Sequence, residues 1–178
     1  MDGLVTHEVR RRAARVRLLV TDVDGVLTDA GVYYSERGEE LKRFNVRDGM
    51  GVELLRAAGV QTAFLSRETS PSVVARARKL RLEHTWLGVT DKLAHLEVIQ
   101  RETGLSLGEI AYIGDDVNDL EALAAVGREG LTAAPSDAVP SVARAVHHSL
   151  ASRGGHGAFR EFADWILSQA SAAERSAL

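Results

Sequence analysis

Apolar residues along this chain come in short dense runs separated by longer stretches of mixed polarity. Val16–Thr21, Val60–Leu65, Glu109–Ile113 and Gly130–Ala133 are such runs, with a shorter segment around Thr85–Leu87. Short apolar runs rich in β-branched residues and bounded by charge or turn residues read as buried strands. Between them the apolar positions adopt a helical spacing. Met50, Val52, Leu54 and Leu55 fit a helix from Asp48 to the stop at Gly59. Ser70 followed by Pro71 opens a second helix through Val73, Val74, Ala77 and Leu80, a third runs from about Thr90 to Thr103 and ends at Gly104, and a fourth covers Asp116–Val126. Gly31–Ser35 and Glu40–Phe44, joined by a turn at 36–39, read as a β-hairpin over about 31–44. Residues 1–16 form a helical or frayed lead-in.

Strands alternating with helices predict an α/β fold: a Rossmann-like parallel sheet with helices on both faces plus the hairpin, and no cap domain. No repeat, low-complexity tract or linker divides the chain, so 1–178 is expected to be a single domain with a C-terminal tail from about 151. In open α/β sheets ligands bind beyond the carboxyl ends of the strands, which makes the residues following each strand the ones to examine.

Composition narrows the chemistry. The 178 residues include no cysteine, which removes disulfides, thiolate metal sites and a cysteine nucleophile. A net charge of −3 lacks the basic excess of a nucleic-acid binder. No apolar run approaches the roughly 20 residues that span a bilayer. Arg10, Arg11, Arg12, Arg15 and Arg17 precede Leu18–Val20 in the order of a secretory signal, but Asp22 and Asp24 interrupt at once and no small-residue cleavage site follows. The expectation is a cytoplasmic protein with neither membrane nor nucleic-acid partners.

Acidic residues gather at two predicted strand ends. Asp22 and Asp24 follow the first, and carboxylates at i and i+2 can point the same way from extended chain, a concentration of charge that suits a hard divalent ion such as Mg2+. Turn aspartates ahead of Gly25 are the plainer alternative. Gly114-Asp115-Asp116-Val-Asn118-Asp119 follows a later strand, and acids grouped on one rim repel without a cation. Helix capping remains open for Asp116 and Asn118, with Asp119 favoured in a first turn by the helix dipole. Ser66 is either a helix cap or a phosphate donor, and Lys92 either a solvated charge or a phosphate ligand.

In combination these four elements resemble the motifs of the haloacid dehalogenase superfamily. Asp22-Val-Asp-Gly-Val-Leu-Thr-Asp29, Phe44-Asn-Val-Arg-Asp-Gly-Met-Gly51, Gly88-Val-Thr-Asp-Lys92 and Arg153-Gly-Gly-His-Gly-Ala-Phe-Arg-Glu161 resemble its small cap-less branch, which contains the 3-deoxy-manno-octulosonate 8-phosphate phosphatases. The resemblance implies a Mg2+-dependent phosphatase acting on an acid-sugar phosphate. Asp22 would be the nucleophile and Asp24 the general acid and base. Asp22, the backbone carbonyl of Asp24 and Asp115 would hold Mg2+, Ser66, Lys92 and Gly25 would bind phosphate, and Asp116, Asn118 and Asp119 would stand behind them, Asp116 orienting Lys92 or a metal-bound water. It also implies a homotetramer, in which the hairpin helps to form a lid and a neighbour's segment carrying Arg153 approaches the site; a flexible loop is the alternative for 153–157.

One departure concerns specificity. Ser66-Arg67-Glu68 stands where the octulosonate branch has Thr-Gly-Arg, so that Arg67 replaces a glycine. Glu68 with Arg76 and Lys79 resembles relatives acting on 2-keto-3-deoxynononate 9-phosphate, and makes these three candidate substrate contacts. The alternative for Arg76 and Lys79 is a surface pair on adjacent helix turns. Two other classes compete with a phosphatase: a non-catalytic tetrameric module associated with an acylneuraminate cytidylyltransferase, and a phosphotransferase or phosphomutase. A complete catalytic set argues against the first, and the lack of a cap to exclude water argues against the second.

Overall fold

The computed structural model describes residues 7–176; the first six residues of the predicted lead-in and the last two of the tail lie outside them. Helix α1 (His7–Ala13) leads into β1 (Leu18–Thr21), and the hairpin β2 (Tyr33–Ser35) and β3 (Gly38–Leu41) follows. Then come α2 (Val46–Ala57), β4 (Gln61–Leu65), α3 (Pro71–Leu80), β5 (His84–Trp86), α4 (Lys92–Thr103) and β6 (Ile110–Ile113). The chain continues through α5 (Leu120–Val126), β7 (Leu131–Ala134), α6 (Pro140–Ala143), β8 (His148–Ser149) and α7 (Ala158–Ser176).

Six strands form one sheet in the order β5-β4-β1-β6-β7-β8, every pairing parallel, and β2 pairs with β3 antiparallel in a separate hairpin. The chain builds outward from β1 to β4 and β5, then returns to the other side of β1 for β6, β7 and β8. The order therefore reverses between β1 and β6, where an open sheet leaves a crevice at its carboxyl edge. Thr21 of β1 is level with Phe64 of β4 and Ile113 of β6. Asp22, Ser66 and Asp115 consequently leave the sheet at one rim.

Alternation along the buried strands sends Leu19, Phe64, Ala111 and Ala133 to one face, where α1, α2, α3 and α7 cover them, and Leu18, Val20, Ala63, Leu65 and Tyr112 to the other, beneath α4 and α5. These positions are almost fully removed from water. That is why the strands read as continuous apolar runs rather than alternating ones.

Three local outcomes differ from expectation. Helix α2 starts earlier than Asp48 because Asn45 caps it, its side chain accepting the Arg47 N–H at 2.9 Å. The predicted 116–126 helix is two pieces, a 3-10 turn at Val117–Asp119 and then α5, because the Asp119 side chain turns back into the protein. The short α6 and β8 were not anticipated, being too brief for periodicity to show.

The glycine-rich segment before α7 is packed rather than loose. Gly154 and Gly155 are buried against residues 25–29, and a Cβ on Gly154 would lie 1.9 Å from the Gly25 carbonyl oxygen. The Gly155 N–H donates to the Val26 carbonyl at 2.9 Å. This approach buttresses the loop after β1. Among the described residues no helix is long and apolar enough to cross a membrane.

Candidate active site

The loop after β1 fixes Asp22 first. Its backbone N–H donates to the Ile113 carbonyl at 3.0 Å, and its Oδ1 accepts the Val23 N–H at 2.6 Å. Gly25 has φ +91°, and a Cβ there would meet the Asp115 carboxylate at 1.9 Å, so glycine is needed both for the turn and for the approach of the second acidic loop. Lys92 comes from the first residue of α4, whose start Asp91 caps by accepting the Ala94 N–H at 2.9 Å.

The Lys92 ammonium is buried between two carboxylates, 2.9 Å from Asp22 Oδ2 and 2.6 Å from Asp119 Oδ1. Burial opposes its charge, but Asp22 and Asp119 together outweigh burial and raise its pKa. Asp22 is pushed well above the usual carboxylate range by burial and by the Asp119 charge, with Lys92 opposing both. Asp119 is itself saturated. Its Oδ1 accepts Lys92 and the Tyr112 hydroxyl, while Oδ2 lies 3.1 Å and 3.4 Å from the N–H groups of Asp115 and Asp116.

Asp24 and Asp115 are different. Asp24 Oδ1 accepts Lys42 Nζ at 2.7 Å, with Thr28 Oγ1 at 3.4 Å, but Oδ2 is buried with no partner among the described residues. Asp115 Oδ1 is likewise buried without a partner, and its carboxyl is raised to about 7 by burial and by the charges of Asp119 and Asp116. Oxygens of Asp22, Asp115 and Asp119 lie within 4.8 Å of one another. Donors reach both oxygens of Asp119, and the Val23 N–H and Lys92 reach those of Asp22, so the buried oxygen of the three acids left without a donor among the described residues is Asp115 Oδ1. A buried carboxylate oxygen without a hydrogen-bond partner, crowded by further carboxylates, suits a hard divalent ion.

The site opens into a cleft of about 310 Å³ lined by Asp22, Asp24, Ser66, Arg67, Glu68 and Asn118, among others. A larger groove of about 580 Å³ beside α3, lined by Thr69, Pro71, Val74 and Leu87, carries no acidic group, so chemistry rather than size selects the cleft. Ser66 is buried, and its Oγ accepts the Glu68 N–H at 3.1 Å, which leaves its hydroxyl proton for another acceptor.

Forty per cent of aligned positions are identical to the 3-deoxy-D-manno-octulosonate 8-phosphate phosphatase KdsC of Haemophilus influenzae, over 89% of this chain and 87% of that protein. The chain belongs to the 3-deoxy-D-manno-octulosonate 8-phosphate phosphatase family. A Moraxella catarrhalis enzyme of this name, solved with a magnesium ion, a phosphate ion and a KDO molecule, superimposes with a TM-score of 0.86 at 32% identity, covering 92% of both chains. A subfamily III A hydrolase of the haloacid dehalogenase superfamily from Legionella pneumophila superimposes with a TM-score of 0.87 at 37% identity, covering 96% of this chain and 92% of that one. No protein-family profile matches the chain. Membership makes the chain a phosphoric monoester hydrolase.

The candidate residues of this phosphatase-family chain divide into those the fold gathers and those it does not. Asp22, Asp24, Gly25, Ser66, Lys92, Asp115 and Asp119 meet at the rim, and Glu68 and Asn118 line the cleft. The contact expected from Asp116 to Lys92 is made by Asp119 instead; the Asp116 carboxylate caps its own turn, accepting the Val117 N–H at 2.6 Å. Arg76 is neither in the cleft nor part of a surface pair. It donates to the Asn45 carbonyl at 3.0 Å and lies over the Phe44 ring, bracing the start of α2. Lys79 is exposed and does not line the cleft. Arg153 is exposed and donates to Asp137 at 3.1 Å.

Two participants escaped the sequence reading. Tyr112 sits in an apolar strand, where a hydroxyl must find a partner, and that requirement was a usable signal. Lys42 carried none, because nothing in a hairpin sequence says which lysine turns inward.

Proposed function

We propose that this chain is a Mg2+-dependent phosphatase that releases phosphate from 3-deoxy-D-manno-octulosonate 8-phosphate through a phosphorylated Asp22. One observation carries the reading: the buried carboxylate of Asp22 is held 2.9 Å from the Lys92 ammonium at the floor of a cleft where Asp24 and Asp115 each keep an oxygen without a partner among the described residues. Asp22, Asp115 and the backbone carbonyl of Asp24 would hold the ion, which offsets charge on the phosphoryl group when bound.

Asp22 attacks phosphorus as the bond to the sugar oxygen breaks, dividing one hydrolysis into two displacements. Asp24 gives its proton to the departing sugar oxygen, then takes one from the water that attacks the phosphorylated Asp22. Lys92 and the Ser66 hydroxyl bind phosphoryl oxygens, and Asp119 keeps Lys92 aimed, so the positive charge is in place before charge develops. Phosphoryl transfer depends mostly on such positioning.

The eight-carbon substrate is supported by the names of the relatives. It is also favoured because Arg76 is engaged at α2 and Lys79 stands off the cleft, which leaves Glu68 alone of the three residues that pointed to a nine-carbon sugar. The hairpin exposes Val32, Tyr33, Tyr34 and Leu41, an apolar face that supports assembly of the homotetramer.

The test is phosphate release from 3-deoxy-D-manno-octulosonate 8-phosphate and 2-keto-3-deoxynononate 9-phosphate, with Mg2+ and with chelator. Mg2+-dependent preference for the first is expected. Preference for the second would return specificity to Glu68, and turnover undiminished by chelator would remove the metal from the account.

A further inference from the structure

Lys42, which follows directly on β3, turns its side chain inward beside exposed hairpin residues. Tyr33, Tyr34 and Leu41 are all more than half exposed, whereas the side chain of Lys42 retains 1% of its accessible surface. A buried ammonium is costly unless paired. Lys42 Nζ lies 2.7 Å from Asp24 Oδ1, on the residue that the proposed function makes the proton donor and acceptor. The other oxygen, Oδ2, is buried and unpartnered among the described residues.

This asymmetry divides labour within one carboxyl group. With Oδ1 held by Lys42, and Thr28 Oγ1 beyond it at 3.4 Å, the carboxyl cannot rotate freely and Oδ2 is the oxygen left for proton transfer. Thr28 Oγ1 also lies 3.2 Å from the Ala30 N–H, which ties this arrangement to the loop after β1. The anchor that fixes Asp24 therefore belongs to the hairpin rather than to the sheet.

We propose that Lys42 is a positioning residue for Asp24, holding Oδ1 so that Oδ2 carries the proton to the leaving group and making a docked hairpin a condition of that transfer. The inference rests on the phosphatase reading above. As the Asp22 oxygen–phosphorus bond forms and the phosphorus–sugar oxygen bond breaks, the proton on Asp24 Oδ2 passes to the sugar oxygen. The carboxylate left behind meets an ammonium already beside Oδ1. In the second displacement a water oxygen bonds to phosphorus, the Asp22 oxygen leaves, and a water proton returns to Oδ2.

An aryl phosphate whose phenolate departs without a proton provides the test, because its first displacement does not need the proton from Asp24. Rapid-quench single turnovers with Mg2+ would compare 3-deoxy-D-manno-octulosonate 8-phosphate and p-nitrophenyl phosphate in wild type, Lys42→Met and Lys42→Arg. For Lys42→Met, transfer from the sugar phosphate should slow roughly a hundredfold, the lower range of general-acid effects. First-turnover phenolate release should slow by a far smaller factor, and the phosphorylated protein should accumulate because the second step still needs Asp24. Lys42→Arg should recover part of the sugar-phosphate rate, and it tests the same ratio should the methionine variant fold poorly. Equal losses on both substrates in either variant would make Lys42 merely structural and overturn the proposal. Wild type inactive on both substrates would instead overturn the phosphatase reading beneath it.

Discussion

Asp119 and Asp115 stand four residues apart on the same acidic loop, yet one is finished and the other is not. Asp119 is fully buried and has a donor on each oxygen from Lys92, Tyr112 and the loop's own backbone. Asp115 is half-buried, with one oxygen enclosed and unpartnered and a carboxyl raised to about 7. Satisfied buried polar networks make a site rigid, whereas an unsatisfied buried oxygen is costly and needs an explanation. On this loop saturation separates an acid that braces Lys92 from one left with a buried oxygen to satisfy, whereas the oxygens of Asp22 are engaged by the Val23 N–H and Lys92. Asp119 thus braces Lys92, and the buried oxygens left without a donor among the described residues of the rim are Asp24 Oδ2 and Asp115 Oδ1.

The contrast breaks most strongly at the lysine. Replacing Lys92 with Met should lower kcat by roughly 10² to 10³, as removing a preorganised charge does elsewhere, measured as phosphate release from the sugar phosphate. It also leaves Asp22 and Asp119 facing each other without a cation.

Next, Asp119→Asn and Asp115→Asn should fall on opposite sides in stability. Asp119→Asn removes a carboxylate from a buried ion pair and should cost about 3–5 kcal/mol in urea unfolding. For Asp115 the folded pKa of about 7 lies above the unfolded value of 3.8, so the fold favours the protonated form. That stabilisation is complete below the unfolded value and is lost as pH rises through about 7. Metal-free Asp115→Asn should therefore be more stable than wild type at pH 8, by up to about 4 kcal/mol, while binding Mg2+ more weakly by calorimetry.

Asp48 sharpens the comparison away from the cleft. Its Oδ1 accepts the Arg160 N–H at 3.0 Å, its Oδ2 is buried and has no partner among the described residues, and burial raises its carboxyl to about 6 from 3.8. By the same sign, its contribution is lost as pH rises through about 6, so Asp48→Asn should flatten the stability curve between roughly pH 4 and 6. The smallest effect belongs to Arg153, an exposed arginine paired with Asp137. Arg153→Ala should change stability by less than about 1 kcal/mol, and a rise in KM without that loss would mark a substrate contact.

The sheet and its acidic rim were legible because buried parallel strands leave continuous apolar runs, and the residues after them fall at one edge. Asp22, Ser66, Lys92 and Asp115 could be singled out by that rule together with the family resemblance. Which acid steadies Lys92 could not be read: Asp116 and Asp119 are both acids on one short loop, and the choice depends on a 3-10 turn that sends Asp119 inward. Arg76 misled for the converse reason. A cation on the helix after Glu68 suits a sugar carboxylate by charge, but its reach is spent on Asn45 and Phe44, contacts that exist only once α2 and α3 are packed. For the glycines at 154 and 155 the sequence leaves a flexible loop open as the alternative to a segment reaching a neighbour's site, and the close approach of residues 25–29 argues against the loop.

The central claim is that phosphate passes through Asp22. Wild type and Asp22→Asn would be mixed with sugar phosphate and Mg2+, quenched in acid within the first turnover, digested and analysed by mass spectrometry. One phosphoryl group on the peptide containing Asp22, absent from a folded and inactive Asp22→Asn protein, is the predicted result. Phosphate release by Asp22→Asn at the wild-type rate, or a phosphoryl group on a different residue, would contradict the account.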